Sequence, residues 1–305
     1  MNLFTHSKGH TANKAFLLRL LSGQRLPGAL LFCGPEAVGK FTLAKEFGRI
    51  INCPEQQGYC GTCEICRLAL DTHIIDQGDK IIQIGQIREI QQHVLTGPFT
   101  AGFYICIINE AHKMNEEAMN AFLKLLEEPP NHVLIILVTH KPNGLLPTIL
   151  SRTLRVAFGE LSSRDTREVL RNTAGFDQPT AERYLSLCPH SMACLPIFKS
   201  KQLSLLYQDG QFPFFQRFWE NPRDIPFLTK LMDISQGQSL SPFLRLFLLF
   251  FSHRMHQGEN SREAALCVQI LVDYISVYDT INVNAMVFLQ SLLLRLKEVK
   301  YANTG

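Results

Sequence analysis

A chain of 305 residues with 46% hydrophobic and 19% charged residues can bury roughly two or three domain cores, which excludes a disordered chain. A net charge of +3 neither demands nor excludes a nucleic-acid partner, because a basic stripe fits within a near-neutral total. The start MNLFTHSKGH has no apolar export segment, and the most apolar run, Pro242–Phe251, is too short to span a bilayer and carries Arg245, so a soluble cytoplasmic protein is expected, with no membrane partner.

The first half alternates short apolar runs with helical patterns, which predicts a parallel α/β sheet. Ala29–Cys33 (ALLFC) is the first buried strand. The next segment, GPEAVGKFT from Gly34 to Thr42, has the spacing G-x-x-x-x-G-K at Gly34, Gly39 and Lys40. A strand precedes it and a helix follows, over about Lys40–Ile51 with Ala44, Phe47 and Ile51 on one face. Such a loop wraps its backbone N–H groups around phosphate. The residue after the lysine should carry a hydroxyl for Mg²⁺, but here it is Phe41. Thr42 lies one position further, about 100° around the helix axis, and is a poor substitute.

Pro54 ends that helix, and four of the nine cysteines cluster around it: Cys53, Cys60, Cys63 and Cys66. In an intracellular chain the spacing C-x₆-C-x₂-C-x₂-C points to a closed tetrahedral Zn²⁺ site of structural type, with reactive thiols as the alternative. His73 is a spare ligand, and Cys33, Cys106, Cys188, Cys194 and Cys267 fall in apolar patterns expected of core residues.

Phe103–Ile108 forms the next expected strand and leads into ICIINEAH. An active ATPase places aspartate then glutamate here; this chain has Asn109 and Glu110. An amide oxygen is a weak Mg²⁺ ligand, and Glu110 has little to act on without a held metal. The two losses together predict no ATP hydrolysis, while Lys40 leaves nucleotide binding open. Asn115 should cap a helix that stops at Pro129-Pro130. Val133–Val138 and Leu154–Phe158 complete the expected strands, with Arg152 between them at a sheet edge and Arg155 as its rival. Beyond Gly159 the patterns are helical, including starts at Ser241-Pro242 and Asn284.

These motifs together resemble the clamp-loader group of AAA+ proteins of bacterial DNA polymerase III. The resemblance is carried by RLPGALLFCGPEAVGK (25–40), the four-cysteine insert, IGQIREI (84–90), INEAHKMNEEAMNAFLKLLEEPP (108–130) and LPTILSR (146–152). It implies a RecA-like domain over 1–158 with a zinc insert at 53–66, a helical lid over 159–205 and an all-helical collar over 206–305. The collar's apolar faces include Phe243, Leu246 and Phe250, and Leu289, Leu292 and Leu296; sequence does not separate subunit contact from internal core. The family's Ser-Arg-Cys arginine finger, which acts in trans on a neighbouring ATP site, corresponds to Ser151-Arg152-Thr153. Its sensor arginine corresponds to the position after Ser191, where Met192 stands. The implied partners are gamma/tau and delta subunits, with the sliding clamp and primed DNA reached through the complex. The implied role is a non-hydrolysing subunit, with an active gamma/tau-type ATPase as the alternative. A zinc-dependent DNA-binding module is a third possibility, but residues 60–67 carry only one basic side chain, Arg67.

Overall fold

The computed structural model describes residues 3–23, 26–54, 60, 62–69, 71–78, 80–99, 102–199, 213–220, 241–256, 261–280 and 285–302. In the first half, helix α1 (Thr11–Ser22) leads into β1 (Ala29–Cys33), α2 (Lys40–Asn52), the short α3 (Glu64–Leu68), β2 (Thr72–Ile75), α4 (Ile84–Thr96) and β3 (Tyr104–Ile108). Then come α5 (Glu116–Glu127), β4 (Val133–Thr139), α6 (Pro147–Ser151), β5 (Leu154–Ala157) and α7 (Ser163–Asn172). The five strands pair in parallel in the order β2-β3-β4-β1-β5. Four of them are the expected strands. β2 was not anticipated, because THII is short, opens on two polar residues and lies at the sheet edge.

The period of two in a strand sorts these side chains into two cores. Leu31, Cys106, Ile108, Ile135 and Leu137 face one side with Ile87 and Ile90 of α4 and Phe122 of α5. Leu30, Phe32, Ile105, Ile107 and Ile136 face the other with Leu17 of α1 and Leu43 and Phe47 of α2. Both faces are covered, which is why β1, β3 and β4 are buried at every residue. The edge strands β2 and β5 are only partly buried.

Helix α5 begins as expected: Asn115 Oδ1 accepts from Ala118 N–H at 2.9 Å, with Glu116 and Glu117 in the first turn. It ends at Glu127, two residues before the proline pair. β1 lies between β4 and β5, so the crossover direction reverses beside it. Sheets of this kind open a crevice at the carboxyl ends of strands at such a point. Gly34, Asn109 and His140 each follow the end of one of the strands β1, β3 and β4.

The chain divides into two compact units, Met1–Asp177 with Pro189–Met192, and Gln178–Cys188 with Ala193–Gly305. The regular elements described in the second unit are all helices: α8 (Gln178–Leu187), α9 (Leu195–Lys199), α10 (Pro213–Glu220), α11 (Ser241–His256), α12 (Ser261–Thr280) and α13 (Ala285–Ala302). Aromatic rings fill part of its core: Phe215 meets Phe247 edge-on at 4.5 Å, and Trp219 meets Phe251 at 5.0 Å. Leu246, Phe250, Leu289, Leu292 and Leu296 are all buried within the chain itself. Those side chains therefore build the unit's own core. Among the described residues, the large apolar side chains exposed on α12 and α13 include Leu266, Val272, Val287 and Leu294. Cys188 and Cys194 are buried as expected of core residues, and their sulfurs lie within bonding distance of each other. Periodicity alone could not show that pairing, because it depends on the turn between α8 and α9. The expected boundary at 205/206, the helix start at Asn284 and the side chain of Phe243 lie outside the described residues.

Candidate functional site

The loop from Gly34 to Gly39 joins β1 to the first turn of α2 and borders a cleft of about 400 Å³. Gly34 has φ 146°, and a Cβ there would lie 2.2 Å from Phe158 O, so only glycine fits against β5. Gly39 has φ 95° and precedes α2 without a side-chain cap. The first N–H groups of α2 therefore face the loop's concavity, the arrangement that binds anions. His10 Nε2–H donates to Val38 O at 2.8 Å and pins the loop from outside.

Lys40 is buried, and its ammonium donates to Gly34 O at 2.9 Å and also to Pro35 O. Burial lowers its pKa, and the nearby Glu110 charge partly opposes that shift. In this state the lysine binds the loop's own carbonyls. Phe41 lines the cleft at the position after Lys40, and Lys45 Nζ sits 4.4 Å above its ring. Thr42 also reaches the cleft lining. Met192 lines the cleft as well, with its N–H donating to Ala37 O at 2.9 Å. The expected sensor position thus lies against the phosphate loop and carries no cation.

Across the cleft, Asn109 donates from Nδ2 to Asp76 Oδ1 at 3.0 Å, just past the end of β2. Its amide is turned toward a carboxylate. Glu110 has the left-handed backbone φ 50°, ψ 47°. Its Oε2 lies 2.8 Å from His140 Nδ1 and 3.6 Å from His112 Nε2. Burial pushes the Glu110 carboxyl up, but the close contact with His140 and the charges of His140 and Lys113 outweigh it and hold it below its ordinary value. Burial, then the neighbouring His140, drive His112 down to about 3, so its ring is neutral.

Arg152 follows α6, is exposed and does not line this cleft. Its guanidinium lies 3.5 Å from Glu127 Oε1 and donates to Thr148 O at 3.2 Å. Arg155, the rival, is occupied within the sheet, with Nε donating to Cys33 Sγ at 2.9 Å.

The four expected cysteines come together. Their sulfurs lie within 4.8 Å of one another, with Cys53 and Cys66 buried and Cys60 and Cys63 half-buried. Cys63 caps α3, its sulfur accepting from Cys66 N–H at 3.4 Å, and Cys60 Sγ accepts from Cys63 N–H at 3.3 Å. N–H donors aimed at sulfur favour thiolates. Hydrogen bonds from Thr62, then from Cys63, hold the Cys60 thiol down to about 6. Four thiolates so placed fit a tetrahedral ion. His73 is absent from this group.

Three features escaped the sequence. Asp76 follows a strand that was not foreseen. His140 meets Glu110 only because β3 and β4 are neighbours. Glu46 of α2 is buried and accepts from the N–H groups of His6 and Ser7 at 2.6 and 2.9 Å, which ties down the segment before α1.

A family profile described as "DNA polymerase III, delta subunit" matches residues 9–162. The DNA polymerase III subunit delta' of Pseudomonas aeruginosa is 35% identical over 138 residues, covering 42% of this chain and 42% of that protein. The DNA polymerase III subunit gamma/tau of Mycoplasma genitalium is 32% identical over 178 residues, 56% of this chain and 30% of its own length. The chain thus spans less than half the length of these two curated relatives. Among solved structures, a DNA polymerase III gamma subunit-related protein from Thermotoga maritima shares the fold, with TM-score 0.50 at 21% identity over 93% of this chain and 99% of that one. The architecture is a RecA-like AAA+ sheet followed by a helical C-terminal region. By its profile match and these relatives, the chain belongs to the DNA polymerase III delta-subunit family, among the clamp-loader AAA+ proteins.

Proposed function

We propose that this chain is a non-hydrolysing, delta-prime-type subunit of a bacterial clamp loader, working in the cytoplasm with gamma/tau and delta subunits to load a sliding clamp on primed DNA. One observation carries this: Phe41 and Asn109 both line the cleft, and they occupy the two sequence positions at which an active ATPase offers Mg²⁺ a hydroxyl and a carboxylate. Two others support it. Lys40 is bound to the loop's own carbonyls, and Glu110 faces His140.

In this role the chain contributes structure and one charge. Arg152 is exposed and lies away from its own cleft, which suits delivery to a neighbour's γ-phosphate. An arginine finger of this kind raises turnover by roughly 10³–10⁵. Cys53, Cys60, Cys63 and Cys66 would hold Zn²⁺, which cross-links the end of α2 to α3. We assign 1–158 to the RecA-like domain, 159–205 to the lid and 206–305 to the collar. Leu266, Val272, Val287 and Leu294 are exposed for contact with collar helices of adjacent subunits. DNA contact in the ring is by backbone charge rather than base reading.

The test is ATPase activity of a reconstituted complex with gamma/tau. Arg152→Ala should lower it by about 10³-fold at the dependent site. Unchanged turnover would remove the trans role. A second reading, an active gamma/tau-type ATPase, is favoured by the gamma/tau relatives and by Asp76, whose carboxylate lies 3.0 Å from the Asn109 amide. Under that reading, Asp76→Asn abolishes a Mg²⁺-dependent ATPase of the chain alone.

A further inference from the structure

We propose a second metal site, separate from the cysteine cluster, at which Glu110, His112 and His140 hold one divalent transition ion such as Zn²⁺. One donor atom from each side chain lies within 4.8 Å of the other two. Glu110 Oε2 is 2.8 Å from His140 Nδ1 and 3.6 Å from His112 Nε2. Donors on one tetrahedral ion at ~2.0 Å stand about 3.3 Å apart, so these gaps bracket what a shared ion requires.

Among the described residues, neither Glu110 Oε2 nor His140 Nδ1 has a hydrogen-bond partner despite their 2.8 Å approach, and a plain histidine–glutamate hydrogen bond would in any case account for only one of the two contacts. It leaves His112 Nε2 facing the carboxylate beyond hydrogen-bond reach. The other edge of that ring is already held, with Nδ1 2.9 Å from Thr139 Oγ1, a hydroxyl that also accepts from Lys141 N–H at 3.0 Å. With Nδ1–H donating to Thr139, the Nε2 lone pair turns toward Glu110, and an ion between them replaces repulsion with coordination. Outer hydrogen bonds of this kind fix the tautomer of metal-binding histidines. The two rings meet edge-on at 4.6 Å. Glu110 Oε2 and His140 Nδ1 are both buried. Glu110 and His112 follow β3 and His140 follows β4, neighbouring strands in register at Ile108 and Leu137, so the donors hang from a rigid sheet.

Two imidazoles and one carboxylate select zinc, cobalt or nickel over magnesium. Three protein donors leave an open position, and Glu110 also lines the cleft. The site depends on neither the phosphate loop nor Arg152, and although the Glu110–His140 contact also supports the function proposed above, metal titration and ATPase assays test the two separately.

The test is titration of the metal-stripped, reduced full chain with Co²⁺. The cysteine site gives a sulfur-to-cobalt charge-transfer band. The proposal predicts a second equivalent that adds visible absorption without that band. His112→Gln and His140→Gln should each weaken the second equivalent by at least about tenfold, with the sulfur band retained as proof of folding. A single equivalent, or a second one that survives both substitutions unchanged, overturns the site. X-ray absorption on the wild-type chain decides it without variants: two imidazoles around the second ion support it, and any other donor set refutes it.

Discussion

The side-chain amide of Asn109 donates to Asp76 Oδ1 across 3.0 Å, joining the residues that follow β3 and β2. A carboxylate therefore lies beside the position where an aspartate is expected in an active ATPase, and it is engaged by the Asn109 amide. Converting Asn109 to aspartate would set two carboxylates against each other unless a cation came between them. Phe41→Thr with Asn109→Asp should create Mg²⁺-dependent binding of an ATP analogue, at least about tenfold tighter than without the ion. Equilibrium binding with and without Mg²⁺ checks this. Equal Mg²⁺ dependence in the parent chain would show that its metal corner was already competent.

Gly34 is fixed by contact as well as by conformation. A Cβ would sit 2.2 Å from Phe158 O, whose residue also donates its N–H to Cys33 O at 2.7 Å. Gly34→Ala should cost about 3 kcal/mol or more, since backbone has to move. Gly39→Ala meets nothing within 4 Å and should cost only the left-handed penalty, about 1–2 kcal/mol. Urea midpoints of the two variants compare them directly.

Glu46 makes stability depend on acid pH. Burial pushes its carboxyl up, but hydrogen bonds from Ser7, His6 and Thr5 outweigh that and hold it below its ordinary value of 4.5. A depressed carboxyl contributes stability that is full above the unfolded pKa and is lost as pH falls through the folded one. Glu46→Gln should destabilise the chain by about 1.5–3 kcal/mol at pH 7. The gap between variant and parent should narrow below about pH 4.5. Denaturation at pH 7 and in acid measures both.

Metal content tests the cysteine cluster. Cys63 both offers a sulfur and caps α3, so Cys63→Ser should release the ion bound there and lower Tm. With free ion at one hundred times the Kd of the cysteine site, chelation should remove about 2.7 kcal/mol more from the parent than from the variant. An equal response in both would show that Cys63 is not a ligand.

What could be read from the sequence was what neighbouring residues settle. ALLFC, FYICII and VLIILV announce central strands because both faces are covered, so no polar alternation interrupts them. The cysteine cluster was legible for the same reason, its spacing being local. THII carried too few residues to mark β2, and Asp76 was hidden with it. His140 lies thirty residues from Glu110 in the chain, and only the parallel pairing of β3 with β4 brings them together. Leu246 and Leu292 were equally compatible with an internal core and a subunit interface, because a helical apolar stripe has the same period in both.

The central claim is that a cleft carrying Phe41 and Asn109 at its metal corner does not hydrolyse ATP. The most direct measurement is phosphate release by the purified chain alone, with and without Mg²⁺, beside its Lys40→Ala variant. The predicted result is the same background rate in all samples. Mg²⁺-dependent turnover that Lys40→Ala abolishes would contradict it.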